Sequence, residues 1–514
     1  MPRSLLAPLL VAAAALAAAG CDSLLEPEPL GAIVLENQIA TPRGAEDYVN
    51  GFYQPLHGIY ASFQAPMINV LEATTDDGWP RAQYLGGYKE RELDGTEGEL
   101  SQLWGAQLKT VTRLNLYFEL EEDIDWTGEQ ALREQLQGEA YFFRAFYYFN
   151  LVRLFGEVPI FTEPVRAVTE VQVARDPVPE VYAQIKSDLA LAIDLLPDTQ
   201  SGDDRGRVTA HAARAVLAKV HLTLEEWQSV LDVTAGITGK SLLPRYIDNF
   251  YGLVGNTRNE NGAESILEIQ LTDLGDGPKS QVRVSYSPQT TLGQGLGQIL
   301  PTSQNYADDP LVAGARGPNG FLEAFEEGDA RRPVLLDTYD LRNPITDSYF
   351  LPEGEDANGL GTPDIEPHVY KWWSDVPGDQ TRWNVPLFRW AEVLLMRAEA
   401  LNELGQDGAA LALVDQVRQR AGLSALASDG DPDDNASVRA AIRQERRIEF
   451  AFEYKRLFDL NRWGILTDRL ALQGVQIDGA KVTTHPITGK REVLFPIPNK
   501  ELQDNPNVTQ NAGY

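Results

Sequence analysis

The sequence predicts a mainly α-helical protein in which paired helices build a scaffold and an irregular, loop-rich lobe carries short strands. Three observations predict this. Apolar residues recur at intervals of three and four over several long stretches, the signature of helices with a packed face. Alanines cluster in one of those stretches, where they let a neighbouring helix approach closely. Between them, Gly239 to about Asn384 has no sustained period and is rich in Gly, Pro, Asn, Asp, Trp and Tyr.

Taken in order, Leu24–Thr41 has no period and carries Pro27, Pro29 and Gly31, so it reads as a tether and an arm laid along the body. Asp47–Tyr60 has helical spacing through Tyr48, Phe52, Leu56 and Ile59, weakened by Pro55. Ala73–Gly98 interleaves turn formers with aromatic residues and reads as an irregular loop. Leu100 to about Glu122 is a helix. A second runs from Glu129 to Phe155, aromatic almost all round and therefore packed on several sides, with Gly156 as its stop. Glu180–Leu196 and the Ala-rich Thr209–Leu224 follow, with Glu225–Ile237 continuing the pairing. In the irregular stretch, Ser265–Leu271 and Gln281–Tyr286 look like strands and Gly320–Phe325 like a short helix. Helix returns at Leu387–Leu404 and Ala409–Arg420, then in one long charged helix over Val438–Arg462. Val493–Pro498 is a short strand or extended piece before an Asn-rich tail. Helix pairs with small residues at their crossings imply a tetratricopeptide-like array, although no strict repeat of ~34 residues is visible.

Composition narrows the functions. The chain of 514 residues has 44 Lys+Arg against 75 Asp+Glu, a formal charge of −31. Nucleic acid is excluded as a partner, because a phosphate backbone requires a basic stripe. One Cys excludes an internal disulfide framework and a multi-Cys zinc site, and five His leave little for a histidine metal centre. No cofactor or metal is expected. His211 and His221 do not share a helix face. Gly293–Gly297 lacks the strand–turn–helix frame of a phosphate loop, and Asp429–Asp434 reads as a solvated acidic loop.

The single Cys is informative through its position. Arg3, an apolar run from Leu5 to Ala19, and Gly20 before Cys21 form a secretory signal over residues 1–20. The apolar run is shorter than the ~20 residues a spanning helix needs. Ala18-Ala19-Gly20-Cys21 resembles a bacterial lipobox, with Ala18 where that motif ordinarily has Leu. Cys21 is thus the expected lipidation site and first mature residue. Each buried lipid CH₂ adds ~0.8 kcal/mol of membrane affinity, so several acyl chains hold firmly.

Five blocks in order extend this picture: Cys21–Pro29; Arg144-Ala145-Phe146-Tyr147-Tyr148 leading to Leu154–Pro159; Trp390–Gly405; Ile442–Glu453 with Arg456–Trp463; and Leu494–Pro498 with Asn505–Asn511. Together they resemble the SusD/RagB family of outer-membrane nutrient-binding lipoproteins, over nearly the whole mature chain. The resemblance implies a SusD-like N-terminal part (21–238) with tetratricopeptide-like helices. It implies a C-terminal part (239–514) made of a ligand-facing lobe (239–384), helices (385–465) and a tail (466–514). It further implies a lipid-anchored protein of the outer membrane, facing the exterior, that passes glycans or sometimes peptides to a SusC-like TonB-dependent transporter.

Sugars present apolar C–H faces to aromatic rings and a rim of hydroxyls to polar groups. Asp76, Asp77, Trp79, Arg81 and Tyr84 supply both kinds of group in one loop, in the part of the chain where starch-binding members of the family carry such contacts. They are the leading candidates for ligand binding. Tyr286, Tyr306 and one of the adjacent pair Trp372-Trp373 are further candidates in the lobe. The rings of residues 141–155 are core by their spacing. Glu445 and Glu449 lie one helical turn apart, but catalytic carboxylate pairs need ~5–9.5 Å of separation and a cleft. The surrounding Arg443, Arg446, Arg447 and Arg456 make an ion-pair network the expected role, and no catalytic residue is assigned. The expected function is glycan capture without chemistry. The rivals are peptide import, a tethered glycoside hydrolase, and a pure assembly scaffold, the last favoured if the Ala73–Gly98 loop is buried.

Overall fold

The computed structural model describes residues 39–62, 65–80, 85–250, 259–271, 282, 299–301, 320–332, 369–372, 383–426, 432 and 434–514. The helices that build the frame are α1 (Pro42–Asn50), α2 (Gln54–Tyr60), α3 (Pro66–Glu72), α4 (Gly98–Leu120), α5 (Gln130–Phe155), α6 (Val178–Leu195), α7 (Ala210–Thr223), α8 (Trp227–Thr234), α9 (Trp390–Glu403), α10 (Asp407–Arg420), α11 (Asn435–Glu449) and α12 (Arg456–Arg462). From α4 to α11 each helix packs on the next, and α11 also lies against α9, as in a stack of helix pairs. Three two-stranded antiparallel sheets complete the described fold: β1 (Gly78–Pro80) with β3 (Ile299–Pro301), β2 (Ser265–Ile269) with β4 (Val385–Arg389), and β5 (Val482–Thr484) with β6 (Arg491–Val493).

The aromatic helix forms the centre. In α5, Phe142, Phe143, Phe146, Tyr147, Tyr148 and Phe149 are all buried, because α1, α4 and α6 cover it from several sides. Phe143 meets Tyr53 edge-on at 4.7 Å, and the Tyr147 hydroxyl donates to the Phe52 carbonyl at 3.0 Å. Arg144 is buried too, and its fork grips Asp188 of α6 at 2.7 and 2.8 Å. A single guanidinium thus ties two helices whose other contacts are apolar. Gly156 ends the helix at φ 75°, where an L side chain would be strained.

Small residues set the helix spacings. Ala210, Ala212, Ala213, Ala215 and Ala218 of α7 are buried against α6 and α8. A Cβ on Gly138 of α5 would stand 2.7 Å from Leu196 Cγ.

The stack continues across a long interruption. The chain leaves it after α8 and returns at α9, yet these two helices pack together, and Arg397 donates to Thr234 Oγ1 at 3.0 Å. The lobe is zipped at its base by β2 and β4, with Ser265 opposite Arg389 and Ile269 opposite Val385.

Several expected elements differ. The single helix over Asp47–Tyr60 is two, with its first helix starting at Pro42 and a break at Gly51–Tyr53. Strand β4 occupies Val385–Arg389, where the helix was expected to begin at Leu387; the backbone pairs with β2 first. The long helix over Val438–Arg462 stops at Glu449, because Phe452 (φ 56°) and Tyr454 (φ 64°) take left-handed backbone and turn the chain into α12. Gly320–Phe325 holds only a short 3-10 turn, Leu322–Ala324. The β5–β6 hairpin had no expectation. Gln281–Tyr286, apart from Val282, and Gly293–Gly297 lie outside the described residues.

Among the described residues no helix is long and apolar enough to cross a membrane, and no group of three His, Cys, Asp or Glu could hold a metal ion.

Gly138→Ala is expected to lower stability by about 1 kcal/mol. Overpacking against the buried branch point of Leu196 costs ~1–3 kcal/mol, while the helix gains ~1 kcal/mol of propensity. Urea unfolding measures the balance; an unchanged or raised midpoint would mean that Leu196 gives way.

Candidate functional site

The irregular loop expected over Ala73–Gly98 begins instead with a buried segment: Ala73–Pro80 is buried throughout, apart from the half-buried Trp79, and runs from α3 through β1 as an internal strap. Thr75 Oγ1 accepts from the backbone N–H of Asp77 and Gly78 at 3.3 and 3.4 Å, closing a local turn. The Lys89 ammonium donates to the carbonyls of Thr75 and Gly78, the latter at 2.9 Å. It also stands 5.2 Å from the Trp79 ring centroid. Burial pulls the Lys89 pKa down to about 7, against Asp76 and Asp77, which favour its charge. The Trp79 backbone stands opposite Leu300 in the β1–β3 ladder.

Asp76 and Asp77 are therefore corrected as ligand contacts: each is 1% exposed and committed to arginines. Asp76 receives two bonds from Arg456, both 2.7 Å, and one of 2.7 Å from Arg469. Asp77 receives one from Arg447 at 2.6 Å. Burial alone would raise the Asp76 pKa, but Arg456, Arg447 and Arg469 outweigh it and hold the carboxyl well below the usual range. Trp372 is likewise corrected. It is 8% exposed, its indole N–H donates to the Phe452 carbonyl at 3.1 Å, and its ring meets Phe250 edge-on at 5.5 Å, so it belongs to the core. Arg81, Tyr84, Tyr286, Tyr306, Trp373 and Cys21, with the signal segment 1–20, lie outside the described residues.

The arginines that hold the strap have a second face. Arg447, Arg456 and Arg469 line a cleft of about 530 Å³ together with Arg443, Trp463 and the edge of Gly320–Ala324. The volume lies within the ~300–1,000 Å³ typical of ligand pockets. Trp463 is fixed there by its indole N–H, which donates to Glu399 at 2.8 Å. The sequence placed Arg443, Arg446, Arg447 and Arg456 around Glu445 and Glu449 instead. In fact Arg446 serves Asp459 at 3.0 Å, and Arg443 makes no hydrogen bond to either glutamate. The partners of Glu445 and Glu449 come from remote parts of the chain: Arg331 bonds both, while Arg389 and Arg420 bond Glu449. Both glutamates are buried in that network and neither lines the cleft, which agrees with a structural role. Trp463, Arg469 and Lys89 were not singled out beforehand, and Arg443 only as a member of the expected ion-pair network. Trp463 sits inside a family block, which was a usable signal, but Arg443 looked like one more member of a charged helix.

Asp434, from the acidic loop, caps α11 by accepting from Ser437 N–H at 2.7 Å. His211 and His221 turn to separate carboxylates, Asp198 and Glu226.

Comparison with known proteins defines the class. A family model described as the SusD family matches residues 346–514, and one described as starch-binding associating with outer membrane matches residues 49–222. The curated SusD-like protein P25 of Formosa agariphila is 26% identical, over 96% of each chain. The starch-binding protein SusD of Bacteroides thetaiotaomicron is 24% identical, over 79% of this chain and 76% of its own. A solved structure called a laminarin binding SusD-like protein superposes with a TM-score of 0.70 at 25% identity, covering 92% of this chain and 99% of that one. A helical frame of this form, matched end to end in this way, defines the SusD-like class of starch- and glycan-binding proteins. The chain belongs to the SusD/RagB family within it.

Two predictions concern the strap. Asp76→Asn leaves three guanidiniums short of a buried counter-charge, and breaking such a cluster costs ~3–5 kcal/mol. Chemical denaturation of the ligand-free protein measures this; wild-type stability would show the cluster to be dispensable. Glu72, beside the strap, is 1% exposed and accepts from Tyr454 N–H at 2.8 Å through one oxygen only. Burial raises its pKa to about 8. A raised carboxyl pKa stabilises the fold at low pH, and that contribution is lost as pH rises from ~4.5 to about 8. Glu72→Gln should therefore gain on the wild type across this window and level off above it. Parallel stability curves would contradict the assignment.

Proposed function

We propose that the protein is a surface-exposed glycan-binding lipoprotein that captures oligosaccharide and passes it to a SusC-like TonB-dependent outer-membrane transporter. Membership of a starch- and glycan-binding family carries this reading. The anchor is the lipid on Cys21, and the exterior placement follows from the task of meeting polymeric nutrients. The protein binds and releases its ligand without cleaving it, as the family's binding role implies. Trp79 is the aromatic contact best supported by local geometry: it is half-buried, its backbone is held in a short strand, and the Lys89 ammonium stands over its ring. The two lobe tyrosines, Tyr286 and Tyr306, with Arg81 and Tyr84, remain in the proposal as partners to it; Asp76, Asp77 and Trp372 do not.

The burial of the strap favours a second reading, a scaffold that holds a partner and binds no nutrient. Calorimetric titration against a panel of oligosaccharides and peptides separates the readings. Glycan binding supports the first, and peptide binding alone moves the ligand class to peptides. Silence in both supports the scaffold. Turnover of a glycan by the purified protein, lost on substituting one carboxylate, would establish a hydrolase.

Trp79→Ala is expected to weaken glycan binding by ~1–3 kcal/mol, the range for truncating an aromatic anchor. The same titration reads it, and unchanged affinity would remove Trp79 from the site.

A further inference from the structure

We infer that the arginine-lined cleft between α11, α12 and Gly320–Ala324 takes an anionic group, a carboxylate or a sulfate ester, carried on the bound glycan. The inference rests on the glycan-binding reading and specifies the ligand class within it.

The argument turns on Arg443. Three of the four cleft arginines are already spent on Asp76 and Asp77. Arg443 is not: its guanidinium has no ion pair among the described residues, and its Nε is buried without a hydrogen-bond partner. The side chain as a whole is half-buried, but an Nε–H shut off from water and left unsatisfied is costly, so it calls for a partner. The guanidinium does have a support. It stacks over the Trp463 ring at 4.8 Å, and that indole is itself pinned by Glu399. Glu399 is in turn taken by Arg462, through bonds of 2.5 and 2.7 Å, so it makes no hydrogen bond to Arg443 and favours its charge only from a distance. A planar fork stacked on a fixed ring loses little freedom on gripping an oxyanion.

Charge agrees with geometry. Among the described residues, the cleft sets four guanidiniums, Arg443, Arg447, Arg456 and Arg469, against Asp76, Asp77 and Glu323, leaving an excess of one positive charge. It does so in a chain of formal charge −31. The overall field repels anionic glycans at long range, but salt screens it beyond ~8–10 Å, whereas a partly buried pair is screened far less. Selectivity at the cleft is therefore local. Neutral sugars would find hydroxyl partners there, but none that matches a fork with an unmet charge.

The test uses the full mature protein and matched ligands. Oligogalacturonate is compared with its methyl ester, and a sulfated carrageenan oligosaccharide with its desulfated form, by calorimetry at low and high salt. The expected result is tighter binding of one anionic member than of its neutral counterpart, with a preference that shrinks as salt rises. In Arg443→Gln the preference falls at least about tenfold, the scale of one charge-assisted hydrogen bond, while the neutral member is unaffected. Arg443→Lys, which keeps charge but loses the fork, should recover only part of it, and thermal melting confirms that both variants fold. Which pair shows the preference tells carboxylate from sulfate. Equal binding within both pairs, or a preference that survives Arg443→Gln, overturns the inference and leaves glycan binding standing. No binding of any of the four overturns the inference and leaves the glycan-binding reading to the wider oligosaccharide panel.

Discussion

The buried ionic knot around Glu449 is the constraint on which the rest of the structure depends. Arg389, Arg420 and Arg331 converge on this one carboxylate, and their other hydrogen bonds go to Glu264, Asp329, Glu445 and Glu453. Lys371 joins through Glu453 and the Ala451 carbonyl. Burial would raise the Glu449 pKa, but the three arginines pull it to about 2, so it stays ionised at any ordinary pH. Charges taken from water at such cost contribute little net stability; their value lies in permitting one arrangement only, since a missing partner leaves a bare charge in the interior. Here the partners come from the lobe (Glu264, Asp329, Arg331 and Lys371), from the end of β4, and from α10 and α11. The knot therefore sets how an irregular lobe sits on a regular frame.

A second, smaller cluster repeats the logic beneath the cleft. Asp76 and Asp77 reach in from the strap and are met by arginines of α11, α12 and the short helix Leu466–Ala471. The strap is thus fixed from behind by the same helix that carries the knot on its opposite side. Trp79, held by Lys89 and the β1–β3 ladder, and Arg443, held by Trp463, are each oriented by neighbours that themselves have no freedom. Rigid support under a small number of polar and aromatic groups is what a site needs to bind without reorganising.

The frame was legible in the sequence because helical periodicity is a local property. The stretches behind α4 to α10 announced themselves by spacing, and the aromatic run of α5 implied its own burial. What escaped was decided by distant residues. Asp76 and Asp77 sit among turn formers and aromatics, a composition shared by exposed binding loops and by internal straps; only arginines nearly four hundred positions away distinguish the two. Trp372 looked like a surface ring until Phe250 and the Phe452 carbonyl were seen to enclose it. The break after Glu449 was hidden for another reason: the apolar pattern continues through residues 450–460, and left-handed backbone at Phe452 and Tyr454 is costly enough for such residues that only tertiary packing imposes it. Arg443 was visible but indistinguishable from its charged neighbours, since a missing partner leaves no trace in a sequence.

The junction where α8 meets α9 has an evolutionary meaning. The solenoid joins these two helices directly, so it takes no account of how many residues are strung between them. The entropic cost of closing a loop grows only with the logarithm of its length, ~0.6 kcal/mol for each doubling. A lineage can therefore lengthen, shorten or rewrite this interval while the helical architecture stays the same. The exceptions are the few charged residues that moor the excursion, which should drift far more slowly than their surroundings.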